Sequence, residues 1–153
     1  MKNTRQKINN KGFTLVEVIA VMAVATVILG AVLPAVIGAI NNSKVTSTIN
    51  TIKSLQAASV SYYNSNGGTY ASTGTIGVLS LANLASNGML PAGVTGTDAW
   101  GGAITVAPDA TAGQFDITMT KVPTSAQTPL ATALGNLIQS TPTLTSGSWV
   151  GVF

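Results

Sequence analysis

An α+β fold is predicted for this 153-residue chain. Its parts are a long amino-terminal helix, a small antiparallel sheet packed on that helix, a short helix and a carboxy-terminal helix. Three observations predict it. No charged residue occurs from Val18 to Ile40. Beyond that run, apolar residues recur at mostly three- and four-residue steps as far as Tyr62 or Tyr63, the period of an amphipathic helix. Further on, Phe115, Ile117 and Met119 alternate strictly with Asp116, Thr118 and Thr120, the period of a strand with one buried face.

The first element is the most informative. As helix, Val18 to Ile40 extends roughly 35 Å at about 1.5 Å per residue. That suffices for a hydrocarbon core of about 30 Å. Lys2, Arg5, Lys7 and Lys11 stand before it, so the charge rule keeps the amino terminus cytoplasmic and exports the remainder. An ordinary secretory signal has an apolar region of about 7 to 15 residues and then a cleavage site. This run is longer and passes directly into more helix.

The stripe that follows is Val45, Ile49, Ile52, Leu55 and Tyr62 or Tyr63. Asn64-Ser-Asn-Gly-Gly68 closes it. One helix over 13–64 would approach about 80 Å. Its part over 13–40 is apolar all round, and the rest is apolar on one face, as a shaft carrying a domain on its lower half requires. Gly30, Pro34 and Gly38 recur at every fourth position. Pro34 lacks a donor and crowds the preceding turn, so a kink or local melting is expected there. The small residues would also permit close helix–helix approach in lipid.

Residues 64–77 read as a Gly-, Ser-, Thr- and Asn-rich loop. Leu79, Leu81, Leu84 and Met89 suggest a short helix over about 78–87, closed by Asn87-Gly88. Strands follow at 103–107 and 114–121, joined as a hairpin through 109–113. Helical spacing returns over 124–139 with Leu130, Leu134, Leu137 and Ile138. Because Pro129 fits a first turn, Thr128 is a candidate N-cap. Residues 149–153 would close the sheet, completing a head domain over 65–153.

Charge and composition exclude much. The basic excess belongs to the first dozen residues, and from Phe13 onward three lysines face four carboxylates. The body lacks the cationic patch that charge-driven nucleic-acid binding needs. The chain has no Cys and no His, which removes thiol nucleophiles and Cys/His zinc sites. Scattered aspartates without a His offer no positioned base, so an enzyme is not expected. Asp98 and Asp109 flank turns, where Asp commonly bonds local backbone. They are too few to make a calcium site, and no metal or other cofactor is expected. Trp100 reads as a core anchor rather than a glycan-stacking residue.

Lys11-Gly12-Phe13-Thr14-Leu15-Val16-Glu17 resembles the class III signal of type IV prepilins: a basic leader ending in Gly, then Phe-Thr-Leu-x-Glu. Pro34 falls where that family commonly places a helix-breaking proline. The resemblance spans residues 1 to about 40. It implies a leader over 1–12 cleaved between Gly12 and Phe13 by a prepilin peptidase, N-methylation of Phe13, and assembly into a filament with bundled helices inside. "DAWGGAITVAP", residues 98–108, and "ITMTKVPTSAQTPLATAL", residues 117–134, are similar to segments of type IVb and plasmid thin-pilus pilins. Those relatives usually carry a cysteine near the start of the last helix, where this chain has Ala126-Gln127. Phe13 is instead the type IVa choice, so the subclass stays open here.

The resemblance gives Glu17, an acid just inside the apolar run, a physical role. A lone carboxylate is costly in hydrocarbon. Cleavage would create an α-amine at Phe13 with a reference pKa of about 7.7 to 8.0. In a bundle of staggered helices, Glu17 of one subunit can meet the Phe13 amine of another. Snorkelling of Glu17 to the cytoplasmic interface is the plainer alternative.

The function expected is a structural subunit of a type IV pilus with a pilin fold. Its site residues are Gly12, Phe13 and Glu17, with Gly30 and Pro34 as a helix break. Its partners are copies of itself, the prepilin peptidase/methyltransferase, the assembly machinery of the inner membrane, and that membrane before assembly. The precursor would lie in the inner membrane and the assembled filament on the cell surface. A type II secretion pseudopilin is the alternative within the class. A membrane-anchored binding domain that never polymerises is the alternative outside it.

Overall fold

The computed structural model describes residues 12–71, 77–145 and 147–153. By contact the chain divides into two units, Met1–Ala39 and Ile40–Phe153. In order, the elements are α1 (Leu15–Ser65), α2 (Leu81–Ser86), β1 (Ile104–Pro108), β2 (Phe115–Val122), α3 (Thr124–Leu134), β3 (Thr143–Thr145) and β4 (Gly147–Val152). The α+β class expected from the sequence is the one observed.

In the first unit, the described residues are helical from Leu15 onward, and all of them are exposed. This stretch of α1 is long and apolar enough to cross a membrane. In the second unit α1 continues with one buried face: Thr48, Ile52, Leu55, Ala58, Ser59 and Tyr62. The expected stripe is thus largely the packed one, with Val45 and Ile49 half-buried at its upper end. Full burial of each of Ile52, Leu55 and Tyr62 contributes about 1.5–3 kcal/mol. The helix ends where Gly67 and Gly68 take φ of 69° and 80°, letting the Gly68 N–H donate to the Tyr63 carbonyl at 2.9 Å.

Tyr62 also anchors the loop beyond α1, its hydroxyl donating to the Gly77 carbonyl. The expected 64–77 loop falls partly on residues 72–76, which lie outside the described residues.

The strands form a sheet in the order β1-β2-β4-β3. Each pairing is antiparallel. β2 is central, and the predicted alternation is present: Phe115, Ile117 and Met119 are buried, Asp116 and Thr118 half-buried. Register sets Ile104 opposite Met119 and Val106 opposite Ile117, with Trp149 opposite Met119 on the other side. These side chains and those of α1 and α3 belong to one core. Phe115 and Phe153 exchange backbone hydrogen bonds of 3.1 and 2.9 Å, with rings stacked at 5.5 Å. Tyr70 meets Phe115 edge-on at 5.1 Å.

Three expectations need correction. The short helix is confined to Leu81–Ser86, because Ser80 caps it, accepting from the Asn83 N–H at 3.2 Å. The last helix begins at Thr124, as its spacing indicated, but Thr128 is not its N-cap, and it ends at Leu134 rather than at 139, with Pro129 inside it. Burial of Ala126, Gln127 and Leu130 holds the early turns. Pro129 and Ser125 are both exposed, so the Ser125 carbonyl that Pro129 leaves unbonded faces water. The closing strand is a hairpin of β3 and β4 rather than one strand.

Candidate assembly and processing site

The residues proposed from sequence for processing and assembly fall at the start of α1. Gly12 is exposed, and nothing lies within 4 Å of where its Cβ would be. Phe13 is 86% exposed. The Gly12-Phe13 junction thus lies outside the helix and is open to solvent. The helix begins two residues later, and its start is built by a pair that the sequence reading passed over. The Glu17 carboxylate accepts from the Thr14 N–H at 2.9 Å and from the Thr14 hydroxyl at 2.9 Å. The Glu17 N–H donates back to the Thr14 hydroxyl oxygen at 3.3 Å.

This is a capping box, Thr-x-x-Glu, in which each side chain satisfies a backbone donor of the other residue. The pattern Thr14-Leu-Val-Glu17 was the signal that could have found it. Its chemistry matters because an unpaired N–H has no partner in hydrocarbon. Glu17 thus holds a local partner within its own chain, while its carboxylate remains at the exposed surface of the helix. Phe13, Glu17, Val18, Val21 and Met22 line a shallow groove on this surface. Ala20, Val21, Val24, Ala25 and Ile28 line the next.

Gly30 and Pro34 lie inside α1, which is helical throughout both. Nothing lies within 4 Å of a Cβ built on Gly30. The backbone N of Pro34 cannot donate to the Gly30 carbonyl. One turn earlier the Thr26 hydroxyl donates to the Met22 carbonyl at 2.8 Å, a side-chain bond that competes with the backbone ladder. Thr26, Gly30 and Pro34 therefore weaken the same stretch of helix.

In the second unit, Asp98 and Asp109 serve local backbone. Asp98 Oδ1 accepts from the Trp100 N–H at 2.9 Å and the Gly102 N–H at 2.7 Å. Gly102 must be glycine: a Cβ there would lie 1.7 Å from the Thr120 carbonyl oxygen. Trp100 packs half-buried against the core. Asp109 Oδ1 accepts from the Thr111 N–H at 2.6 Å, and these bonds hold its carboxyl below the usual range. Asp116 goes the other way. Partial burial, and then the charge of Asp109, push its carboxyl up.

Gln127 was another residue the sequence did not mark. Its side-chain amide donates to the Thr145 carbonyl at 2.9 Å, and to those of Val122 and Ser148 at 3.3 Å. It thereby joins α3 to the β3–β4 hairpin and to the end of β2.

Two family models match the chain. The one described as the prokaryotic N-terminal methylation motif covers residues 7–33. The one described as PilS N terminal covers residues 39–149. No curated protein matches the chain.

Proposed function

The chain belongs to the PilS N-terminal family within the type IV pilins, and from that membership we propose that it is a structural subunit of a type IV pilus filament. A leader over 1–12 is removed between Gly12 and Phe13, and the new amine of Phe13 is methylated. The methylation-motif match over residues 7–33 supports this reading. The long apolar α1 fits a precursor anchored in the membrane. The inner membrane is its first location, and the cell-surface filament its last.

The observation that carries the proposal is the register of Gly12, Phe13 and the capped Glu17 at the head of an apolar helical stretch whose described residues as far as Ala39 are all exposed. A helix exposed on every side needs either lipid or copies of itself. In the filament, Glu17 of one subunit meets the Phe13 amine of another, so the capping box hands part of its acceptor capacity to a neighbour. An ionised carboxylate offers about four acceptor sites, so Thr14 and a neighbouring amine can be served together.

Electron microscopy of sheared cell-surface material tests the proposal. Filaments should disappear when this chain is deleted and return when it is restored. Unchanged filaments in the deletion strain would remove the proposal's basis.

A further inference from the structure

The head carries two Asn-Gly pairs, Asn66-Gly67 and Asn87-Gly88, which the fold treats differently. A glycine after Asn leaves its backbone nitrogen unhindered by a side chain. That nitrogen can attack the preceding side-chain amide carbon once both are free to turn toward each other. Asn66 is not free. It is 3% exposed, and its Nδ2 donates to the carbonyls of Thr69 and Ala71, each at 2.8 Å. Its N–H donates to the Tyr62 carbonyl at 2.9 Å.

Asn87 is exposed, as is Gly88. The Asn87 Nδ2 donates to the Asn83 carbonyl at 2.7 Å, and the Gly88 N–H donates to the Ala85 carbonyl at 3.0 Å. Both bonds belong to the last turn of α2, a six-residue helix that buries only Leu84. Short helices are marginal on their own, and such ends open at little cost. One opening frees both reacting groups at once.

We propose that Asn87 is a site of spontaneous covalent modification and that Asn66 is protected from the same chemistry. The Gly88 nitrogen attacks Asn87 Cγ, forming a C–N bond as the Cγ–Nδ2 bond breaks. Ammonia leaves, taking up the proton from the Gly88 N–H. Water then opens the cyclic imide at either carbonyl, leaving an aspartate or an isoaspartate at position 87. Apart from that water, nothing is consumed, and no oxidant is needed.

The product alters the head. A carboxylate cannot donate to the Asn83 carbonyl, so the turn loses the bond the amide supplied. In the isoaspartate form the backbone gains a methylene. That shifts the Met89 and Leu90 N–H groups, which donate to the Leu84 carbonyl at 2.8 and 3.0 Å. The unit Ile40–Phe153 balances three lysines against three aspartates, and the modification tips it to net negative. The change accumulates with the age of a subunit.

The test is slow incubation of the purified, detergent-solubilised full chain in mildly alkaline buffer. Cleavage at lysine then releases one peptide, bounded by Lys53 and Lys121, that carries both pairs. Fragmentation assigns the mass gain of replacing NH2 by OH to one position or the other. The folded chain should gain at Asn87 at least about tenfold faster than at Asn66, reflecting the opening each needs. A urea-unfolded chain should gain at both positions at similar rates. Asn87→Gln, which keeps the amide donor but would need a larger ring, should abolish the early gain. Equal rates at the two positions in the folded chain would overturn the proposal, as would a folded chain silent at Asn87.

Discussion

Thr14 and Glu17 cap one another, the Glu17 carboxylate accepting from the Thr14 N–H at 2.9 Å and the Thr14 hydroxyl accepting from the Glu17 N–H at 3.3 Å. On the proposed function, the acid at the head of the helix has two roles separated in time. It finishes its own helix before assembly and offers its remaining lone pairs to a neighbour afterwards.

The two roles are separable by mutation. Thr14→Val removes the hydroxyl from the cap, which costs about 0.5–2 kcal/mol at the helix start. Amide exchange at the first turn of α1 should speed up in detergent, while exchange in the second half of α1 stays as before. Uniform acceleration along the helix would argue against a local cap.

Glu17→Val should abolish or weaken filaments while leaving membrane insertion intact. Insertion should improve, because a costly charge leaves the apolar run. Abundant variant filaments, in cells lacking the unaltered chain, would count against the pairing of Glu17 with the Phe13 amine.

A third expectation concerns the stretch from Thr26 to Pro34. Gly costs about 1 kcal/mol and Pro about 3 kcal/mol relative to Ala in a helix interior. The free chain keeps this region helical, as lipid leaves the backbone no other partner. Packed neighbours could shelter an extended stretch there in a filament. Replacing Gly30 and Pro34 together by Ala should then reduce filament extension under pulling force. A filament map with unbroken helix over 13–64 would rule this out.

Gln127 supports the head at a place where burial leaves few alternatives. Gln127→Ala strips the carbonyls of Val122, Thr145 and Ser148 of a shared donor. The expected loss is about 1–3 kcal/mol, chiefly the cost of leaving the acceptor of the buried Val122 unsatisfied. Urea unfolding followed through tryptophan fluorescence would measure it.

The pH dependence of the head has a defined sign. Asp116 sits opposite Ala107 and Val152, and its Oδ1 is buried without a partner. Burial and Asp109 raise its folded-state pKa, so its ionised form opposes folding. That penalty is present above the folded pKa and is relieved as pH falls through it toward the ordinary Asp value. Asp116→Asn should therefore raise the unfolding midpoint at neutral pH, and its advantage should shrink on acidification. An advantage independent of pH would show that charge is not the cause.

Much of this architecture was legible because it rests on periodicity. The stripe from Val45 to Tyr62 and the alternation of Phe115, Ile117 and Met119 describe faces that are buried. Two kinds of feature were not legible. β3 is three residues long, and all of them are exposed, so no period marks it. The persistence of α3 through Pro129 depends on which carbonyl is left facing water, and only packing decides that. Gln127 could not be singled out, since its three acceptors come from separate parts of the chain. The Thr14–Glu17 cap is legible in the spacing Thr-x-x-Glu, although an acid in an apolar run also suits a partner on another chain.

The central claim is that this chain is cut between Gly12 and Phe13 and then built into a filament. Intact-mass analysis of subunits from sheared cell-surface filaments tests it most directly. The account predicts a subunit that begins at Phe13 and carries one methyl group on its amine. Filaments whose subunit still retains Met1 to Gly12, or that contain none of this chain, would contradict it.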